Sequence, residues 1–234
     1  MTQQEKMTEL KGTSPRGVFK YPHLTAPDYG TKEHPIEGGA YNTRLVVSAG
    51  VAEAFVAKLQ PLIDVAMAEA DEKFAALKAP ARNKLGSVTW NDVAMPVYDS
   101  ETEEETGDFE FRFKTKASGK TAKGKKWERK LPLFDAKGTP IKNLAAVWGG
   151  SEGKASFIAR PYFIPATGAA GVSLYLEAAQ IIKLIAGRDG ASAEDHGFGE
   201  EVGYEADNAP FEADVSEGGY EAPEDSDTEE NEDF

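Results

Sequence analysis

The sequence predicts a mainly β domain that has one long helix inserted near its start and an acidic segment after its end. Only residues 51–77 repeat apolar side chains at the three-and-four spacing of an amphipathic helix. Most other apolar stretches are short and rich in β-branched or aromatic residues, which is typical of strands. Beyond Arg188 the chain contains no Lys or Arg. We therefore expect one globular body with one charged appendage.

The first half of the domain predicts loops, one strand and the helix. Residues 14–17 are typical of a turn, and Pro, Gly and Asp dominate from there to Gly39. Residues 41–48 are rich in β-branched side chains and predict a strand. Within the helix, Pro61 is expected to kink or split the structure, because proline removes a backbone donor.

The second half of the domain predicts strands. Residues 109–114 alternate strictly, so three phenylalanines should face the core while Arg112 and Lys114 face solvent. Five or six strands with one early helix favour an OB-fold, the small five-stranded Greek-key barrel. Further strands are predicted at residues 127–134, 144–148, 155–164 and 171–185.

The chain is expected to contain three segments. Residues 1–13 are polar and aperiodic and predict a flexible leader. Residues 14–187 form the predicted OB-fold domain. Residues 188–234 predict a disordered acidic tail, because Glu, Asp, Gly and Ser cannot bury enough apolar surface to offset the entropy cost of ordering.

Charge is divided unevenly between the body and the tail. Residues 189–234 contain 18 acidic residues, so the remaining 22 acids and all 26 bases lie in residues 1–188. Such asymmetry is typical of proteins that handle nucleic acids, or of solvating appendages. The absence of Cys excludes disulfides, thiolate zinc sites and Cys nucleophiles. No apolar run approaches the roughly 20 residues that span a bilayer, so we expect a soluble intracellular protein without a membrane partner.

The densest basic stretch runs from residue 112 to residue 130, where nine bases accompany one acid. Phosphate contacts release condensed counterions, so this stretch predicts salt-sensitive binding without sequence preference. Aromatic side chains near such bases can stack on nucleobases. The stretch supplies the predicted phosphate contacts Arg112, Lys114, Lys116, Lys120, Lys123, Lys125 and Lys126, and the predicted stacking residues are Tyr21, Trp127, Tyr162 and Phe163.

Two motifs imitate catalytic signatures but lack the required context. Residues 148–155 resemble a P-loop, but Trp148 stands at the position of the first glycine and Ala155 at the position of the Ser or Thr hydroxyl. Ser151 stands in a G-x-S-x-G pattern, but a strand rather than a helix is predicted after it, and the downstream His196 lies in the tail. Acidic residues 99–108 predict a solvated loop rather than a metal site, because no His accompanies them. We therefore expect no catalytic residue, no enzymatic activity, no metal and no cofactor.

Several motifs occur in an order that resembles a known family, the single-stranded DNA-binding proteins of short-tailed bacteriophages of the T-odd coliphage replication type. The likeness covers about residues 14–187, and the chain also ends on Asp233-Phe234 after a long acidic tail, as in that family. The motifs are residues 15–20, the Ala/Glu-rich helix, residues 109–114, the Lys-rich hairpin, residues 149–151 and residues 172–177.

The resemblance implies an OB-fold that coats single-stranded DNA during replication, recombination and repair in the cytoplasm of the infected bacterial host. It implies that the tail binds the DNA polymerase and the helicase-primase and competes with DNA for the groove. By position, Arg16, the hairpin lysines Lys120, Lys123 and Lys125, and Lys154 match basic residues of the family. The resemblance also makes a homodimer an open alternative.

Other interpretations stay open at this point. Glu232, Asp233 and Phe234 are either a partner-binding motif or the accidental end of a solubility tail. The basic hairpin could bind acidic proteins, which would make the chain an interaction adaptor. Phosphate contacts alone would also tolerate duplex DNA or RNA.

Overall fold

The computed structural model describes residues 8–144 and 146–185. No helix in this part of the chain is both long and apolar enough to cross a membrane. The helices are α1 (Ala49–Ala75) and α2 (Ala79–Leu85). The strands are β1 (Leu10–Thr13), β2 (Gly17–Gly30), β3 (Pro35–Ser48), β4 (Thr89–Asn91), β5 (Ala94–Tyr98), β6 (Glu105–Lys116), β7 (Ser118–Lys120), β8 (Lys126–Glu128), β9 (Leu133–Phe134), β10 (Glu152–Ile164) and β11 (Ala169–Lys183).

Five of the strands close into a barrel. β2 pairs with β3 and β3 with β6, both antiparallel, and β6 then meets β11 in parallel. β11 pairs antiparallel with β10, and β10 returns to β2 where Gly153 lies opposite Gly17. The predicted mainly β fold, a five-stranded barrel with an inserted helix, is confirmed.

The helix α1 packs its apolar stripe against the barrel. Phe55 contacts the rings of Phe111 and Phe157 edge-on, with centroid separations of 4.8 and 5.6 Å. The helix is continuous through Pro61, so the predicted split does not occur. Leu59 and Leu62 are fully buried on either side of this proline, and their packing holds the helix together.

The strand predictions differ from the structure at several places. The loop expected before Gly39 is instead the long β2–β3 hairpin, whose prolines and register shifts hide the strand pattern. The strand predicted at residues 144–148 is wrong for the described residues of that stretch, where Val147 is buried in a segment without strand pairing. The stretch 127–134 is divided between β8 and β9.

The predicted leader also contains regular structure near its end. β1 pairs antiparallel with β10, with Leu10 opposite Ala159 and Thr13 opposite Ser156. The short polar sequence gives no strand pattern of its own, because its partner lies about 145 residues away in the chain. Residues 1–7 lie outside the described part of the chain.

Candidate nucleic-acid interface

Basic side chains form a row on the outer surface of the barrel. Phe111 and Phe113 are fully buried in β6, so the alternating Arg112 and Lys114 point outward. Arg112 lies opposite Arg44 of β3, and Arg44 lies opposite Lys20 of β2. Lys20, Arg44 and Arg112 therefore cross three neighbouring strands. The third alternating phenylalanine, Phe109, is partly buried against the core, as predicted.

A groove of about 630 Å³ lies along the outer side of β6, β11 and the end of β10. We call it the central groove. Its charged and aromatic lining comprises Asp92, Arg112, Lys114, Lys116, Tyr162 and Tyr175. Predicted phosphate contacts and one predicted stacking residue are thus brought together by strands that are distant in sequence.

A second groove, of about 420 Å³, lies at the β7–β8 hairpin. This hairpin groove is lined by Lys116, Lys120, Lys126 and Trp127, among others. Because Lys116 lines both grooves, they adjoin at this residue. One continuous track is therefore lined by Tyr162 and by six predicted interface residues of the segment 112–127: Arg112, Lys114, Lys116, Lys120, Lys126 and Trp127.

Two glycines leave room for the aromatic rings of this track to lie close to the backbone. A Cβ atom on Gly171, which is opposite Tyr162, would stand 3.0 Å from the phenol oxygen, and one on Gly119 would stand 2.9 Å from the indole of Trp127. In addition, the Asn91 side-chain amide donates a hydrogen bond of 2.9 Å to the Tyr162 hydroxyl. The hydrogen bond from Asn91 therefore fixes the Tyr162 ring before any ligand arrives.

Phe163 does not join Tyr162 in the central groove. Successive side chains of a strand point to opposite faces, so Tyr162 and Phe163 cannot both face the same groove. Phe163 lines neither of the two grooves, and its partner across β11 is Ala170. Of these two predicted stacking residues, the geometry supports Tyr162.

Arg16 and Lys154 lie at the other end of β10. The Arg16 guanidinium donates to Glu152, with Nη2 at 2.7 Å from Oε2, and this hydrogen bond holds the pKa of Glu152 below its usual range. Lys154 is opposite Gln180 and precedes Tyr162 by eight positions on the strand, roughly 26 Å. Neither residue lines the central groove or the hairpin groove.

Lys123 and Lys125 occupy the tip of the hairpin. The backbone N–H of Lys125 donates to the hydroxyl of Thr121 at 3.1 Å, and Gly124 donates to the Thr121 carbonyl at 2.8 Å, which closes the turn. Both lysines are exposed. They extend the basic surface beyond the hairpin groove without lining it.

Sequence reasoning missed several residues of this surface. Lys20 and Arg44 stand outside the dense basic stretch, and Tyr175 stands in a predicted strand to which no binding role was assigned. The ring of Tyr175 is 41% exposed, and the Arg160 guanidinium carbon lies 5.7 Å from its centroid. The alternation of buried Leu174 and Leu176 around Tyr175 was the available signal.

The structure also shows the surroundings of the G-x-S-x-G serine and of the acidic loop. Ser151 is fully buried, and its hydroxyl accepts a hydrogen bond of 2.9 Å from the Ile185 N–H, so it anchors a strand end rather than attacking a substrate. Asp99 accepts backbone hydrogen bonds from Thr102 and Glu101, which hold the pKa of its carboxyl below its usual range. Within residues 8–144 and 146–185, no group of His, Asp and Glu has the arrangement of a metal site.

The predicted partner-binding residues Glu232, Asp233 and Phe234 lie outside the described residues, as does the rest of the predicted tail beyond Ile185.

Comparison with known proteins identifies the family. A family model described as "Single-stranded DNA-binding protein, Bacteriophage T7" matches residues 16–184, well over half of the chain. The single-stranded DNA-binding protein of Enterobacteria phage T3 is 28% identical over 169 residues, which make up 70% of this chain and 71% of that protein. The crystal structure of gp2.5, a single-stranded DNA-binding protein encoded by bacteriophage T7, matches with a TM-score of 0.60 at 24% identity, and covers 85% of this chain and 100% of that chain.

The chain belongs to the T7-type family of phage single-stranded DNA-binding proteins. This family is non-enzymatic, which agrees with the expectation from the failed catalytic motifs. The likeness to gp2.5 supports the barrel fold.

Proposed function

We propose that single-stranded DNA lies along the central groove and the hairpin groove. Phosphates would contact Arg112, Lys114 and Lys116 in the first groove and Lys120 and Lys126 in the second. The observation that carries this proposal is that both grooves adjoin at Lys116. Lys123 and Lys125 would contact the strand further along, at the tip of the hairpin.

Base stacking supplies the second part of the interaction. Tyr162 and Trp127 each lie close to a glycine, and Tyr175 also lines the central groove. Stacking is worth about 1–3 kcal/mol per base and tolerates every base, because each has a π face. Phosphate contacts read no sequence either. The protein would therefore coat single strands without sequence preference, as phage DNA replication and recombination require.

Residues 188–234 would regulate access to these grooves. Their 18 carboxylates would pair with the same lysines that contact DNA phosphates, so that DNA displaces the tail. The freed end, Glu232-Asp233-Phe234, would then bind the DNA polymerase and the helicase-primase in the cytoplasm of the infected host. An aromatic residue flanked by carboxylates suits an apolar pocket with a basic rim. A homodimer is compatible with this proposal.

The test is an oligothymidylate titration of the full chain and of a variant that lacks residues 189–234, over a series of salt concentrations. We expect the shortened protein to bind more tightly, with the largest gain at low salt. Unchanged affinity at every salt concentration would contradict tail competition. Duplex DNA and RNA competitors, added to the same reactions, separate a single-strand binder from a general phosphate binder. A pull-down of the polymerase with and without Phe234 tests recruitment.

A further inference from the structure

Tyr21 lies at an irregularity of β2. The pairing of β2 with β3 slips at this point, so that Tyr21 and Pro22 together oppose Thr43. Two residues opposite one form a β-bulge, which bends the strand and redirects a side chain. Phe19 and Leu24 are both buried although they are five positions apart, so the bulge reverses the alternation of the strand.

The backbone of Tyr21 adopts a left-handed conformation at the bulge, where glycine is the usual residue. Its φ is +51°, in the left-handed region that is disfavoured for a bulky residue. The side chain is 64% exposed, so little burial compensates for this conformation. Strained residues of this kind concentrate at binding sites, where the surrounding structure holds them in position.

Two cations stand beside the exposed ring. Lys20 Nζ lies 5.5 Å from the ring centroid, and the guanidinium carbon of Arg44 lies 5.9 Å from it. Both are held by Glu110, whose Oε1 accepts a hydrogen bond from Arg44 and whose Oε2 lies 3.6 Å from Lys20 Nζ. The Glu110 side chain is only 6% exposed, so a buried carboxylate fixes both cations at the ring.

We propose that Tyr21, Lys20 and Arg44 form a second nucleotide subsite, outside the two grooves, in which an unpaired base stacks on Tyr21 and its phosphate contacts Lys20 and Arg44. Glu110 is a positioning residue in this subsite and touches no DNA. The inference rests on the proposed function of the grooves.

The subsite continues the track of the central groove. Arg44 lies directly opposite Arg112, which lines that groove, and neighbouring strands are about 4.8 Å apart. A single strand that leaves the groove at Arg112 therefore meets Arg44 next and Tyr21 beyond it.

Glu110 also makes the subsite selective. Its negative charge opposes a phosphate that arrives alone, so binding here depends on the stacked base. In a duplex the faces of the bases are covered by their neighbours, and only phosphates are offered. The subsite therefore favours single strands over duplex DNA, in addition to any preference of the grooves.

The experiment measures the affinity of the full chain for an oligothymidylate of about 16 nucleotides, the upper end of the site size of one OB fold. Tyr21→Gly should weaken binding about 5- to 150-fold, which corresponds to the loss of one stacked base. The melting temperature should stay the same or rise, because glycine adopts a positive φ without strain. Tyr21→Phe keeps the ring and should bind nearly as well as the unchanged protein.

Tyr29 provides a matched control. It lies on the same strand and is also 64% exposed, but its ring lies close to Gly39, and no cation stands over it within the described residues. Tyr29→Ala should leave the affinity unchanged. An equal loss of affinity in Tyr21→Gly and Tyr29→Ala would overturn the subsite, since any exposed tyrosine of this strand would then have the same effect.

The role of Glu110 is tested in a double-mutant cycle. Glu110→Gln should narrow the preference for single-stranded over duplex DNA, because the freed cations then attract any phosphate. In that background Tyr21→Gly should cost less affinity than it does alone, since the cations no longer hold the base over the ring. Additive effects and an unchanged preference would show that Glu110 has no positioning role.

The outcomes separate the subsite from the proposed function of the grooves. If Tyr21→Gly binds like the unchanged protein while reversal of the charges of Lys114 and Lys116 abolishes binding, the subsite is wrong and the grooves stand. If the unchanged protein prefers duplex, or if both sets of variants bind normally, the proposed function of the grooves fails.

Discussion

The polar side chains at the two ends of β10 have different roles. At its start, Arg16 is paired with Glu152, and the neighbouring Ser151 holds the backbone of Ile185. At its end, Tyr162 opens onto the central groove, where neither Lys114 nor Lys116 makes an ion pair with the described residues, although Asp92 lines the groove and the charge of Lys114 helps to lower the pKa of Asp28. The start of the strand closes the barrel, and the end of the strand faces the ligand.

The difference shows that the number of bases in a segment does not locate a binding surface. A cation whose charge is already matched by a carboxylate gains less from a phosphate, because the pair must first be broken. A cation without such a partner gains the full release of counterions. Pairing alone does not separate the two ends, because Lys154 at the start has no ion pair within the described residues and Arg160 near the end is paired with Glu9. The aromatic rings that line the central groove mark the binding end.

Reversal of charge should produce the largest difference between the two ends. Lys114→Glu combined with Lys116→Glu places negative charge in the central groove and should weaken binding of oligothymidylate roughly 100-fold or more at low salt. Lys154→Glu reverses one charge about 26 Å from Tyr162, beyond the screening length of about 10 Å, and should change the affinity little. Fluorescence anisotropy measures both. Comparable losses from the two reversals would mean that DNA covers the whole length of β10.

Removal of the groove aromatic should have the next largest effect. Tyr162→Ala should weaken binding by the equivalent of about 1–3 kcal/mol, through the loss of one stacked base. Tyr162→Phe keeps the ring but loses the hydrogen bond from Asn91, so its affinity should lie between those of the unchanged protein and Tyr162→Ala. Phe163→Ala is the adjacent control and should leave the affinity unchanged even if it lowers stability. A loss of affinity at Phe163 that matches the loss at Tyr162 would contradict the assignment of faces.

The same comparison shows what the sequence could and could not predict. Strict alternation at residues 109–114 predicted the outward orientation of Arg112 and Lys114, because period two is a local property of a strand. It could not show that Arg16 is paired, because Glu152 is 136 positions away and only the closure of the barrel brings them together.

The stacking residues illustrate the same limit. Tyr162 and Phe163 are adjacent in the sequence, and the phase of the strand, which selects Tyr162, depends on its pairing with β11. Tyr21 was recognised only as an aromatic near bases, since a β-bulge is defined by the partner strand and leaves no reliable local pattern.

A third prediction concerns stability at the structural end. Ser151→Ala removes the acceptor of the partly buried Ile185 N–H and should lower the free energy of unfolding by about 0.5–1.5 kcal/mol, the net value of one hydrogen bond. The affinity for DNA should be unchanged below the unfolding transition, because Ser151 lines neither groove. Urea denaturation and a parallel titration measure the two quantities. A loss of affinity without a loss of stability would assign this end of β10 to the interface.

The smallest effect is expected from the ion pair at the start of β10, and it depends on pH. The hydrogen bond from Arg16 lowers the folded-state pKa of Glu152 from the usual 4.5. A depressed carboxyl pKa stabilises the folded state above the unfolded-state pKa, and this contribution is lost as the pH falls through the folded-state value. Arg16→Ala should therefore reduce stability slightly at neutral pH and leave it unchanged in strong acid, so that the acid limb of the stability profile becomes shallower. Lys154 lies on β10 like Glu152 but makes no ion pair with the described residues. Lys154→Ala should therefore leave the dependence of stability on pH unchanged. If Arg16→Ala also leaves the acid limb unchanged, the pair contributes nothing in solution, and Arg16 would be as free to meet a phosphate as the lysines of the central groove.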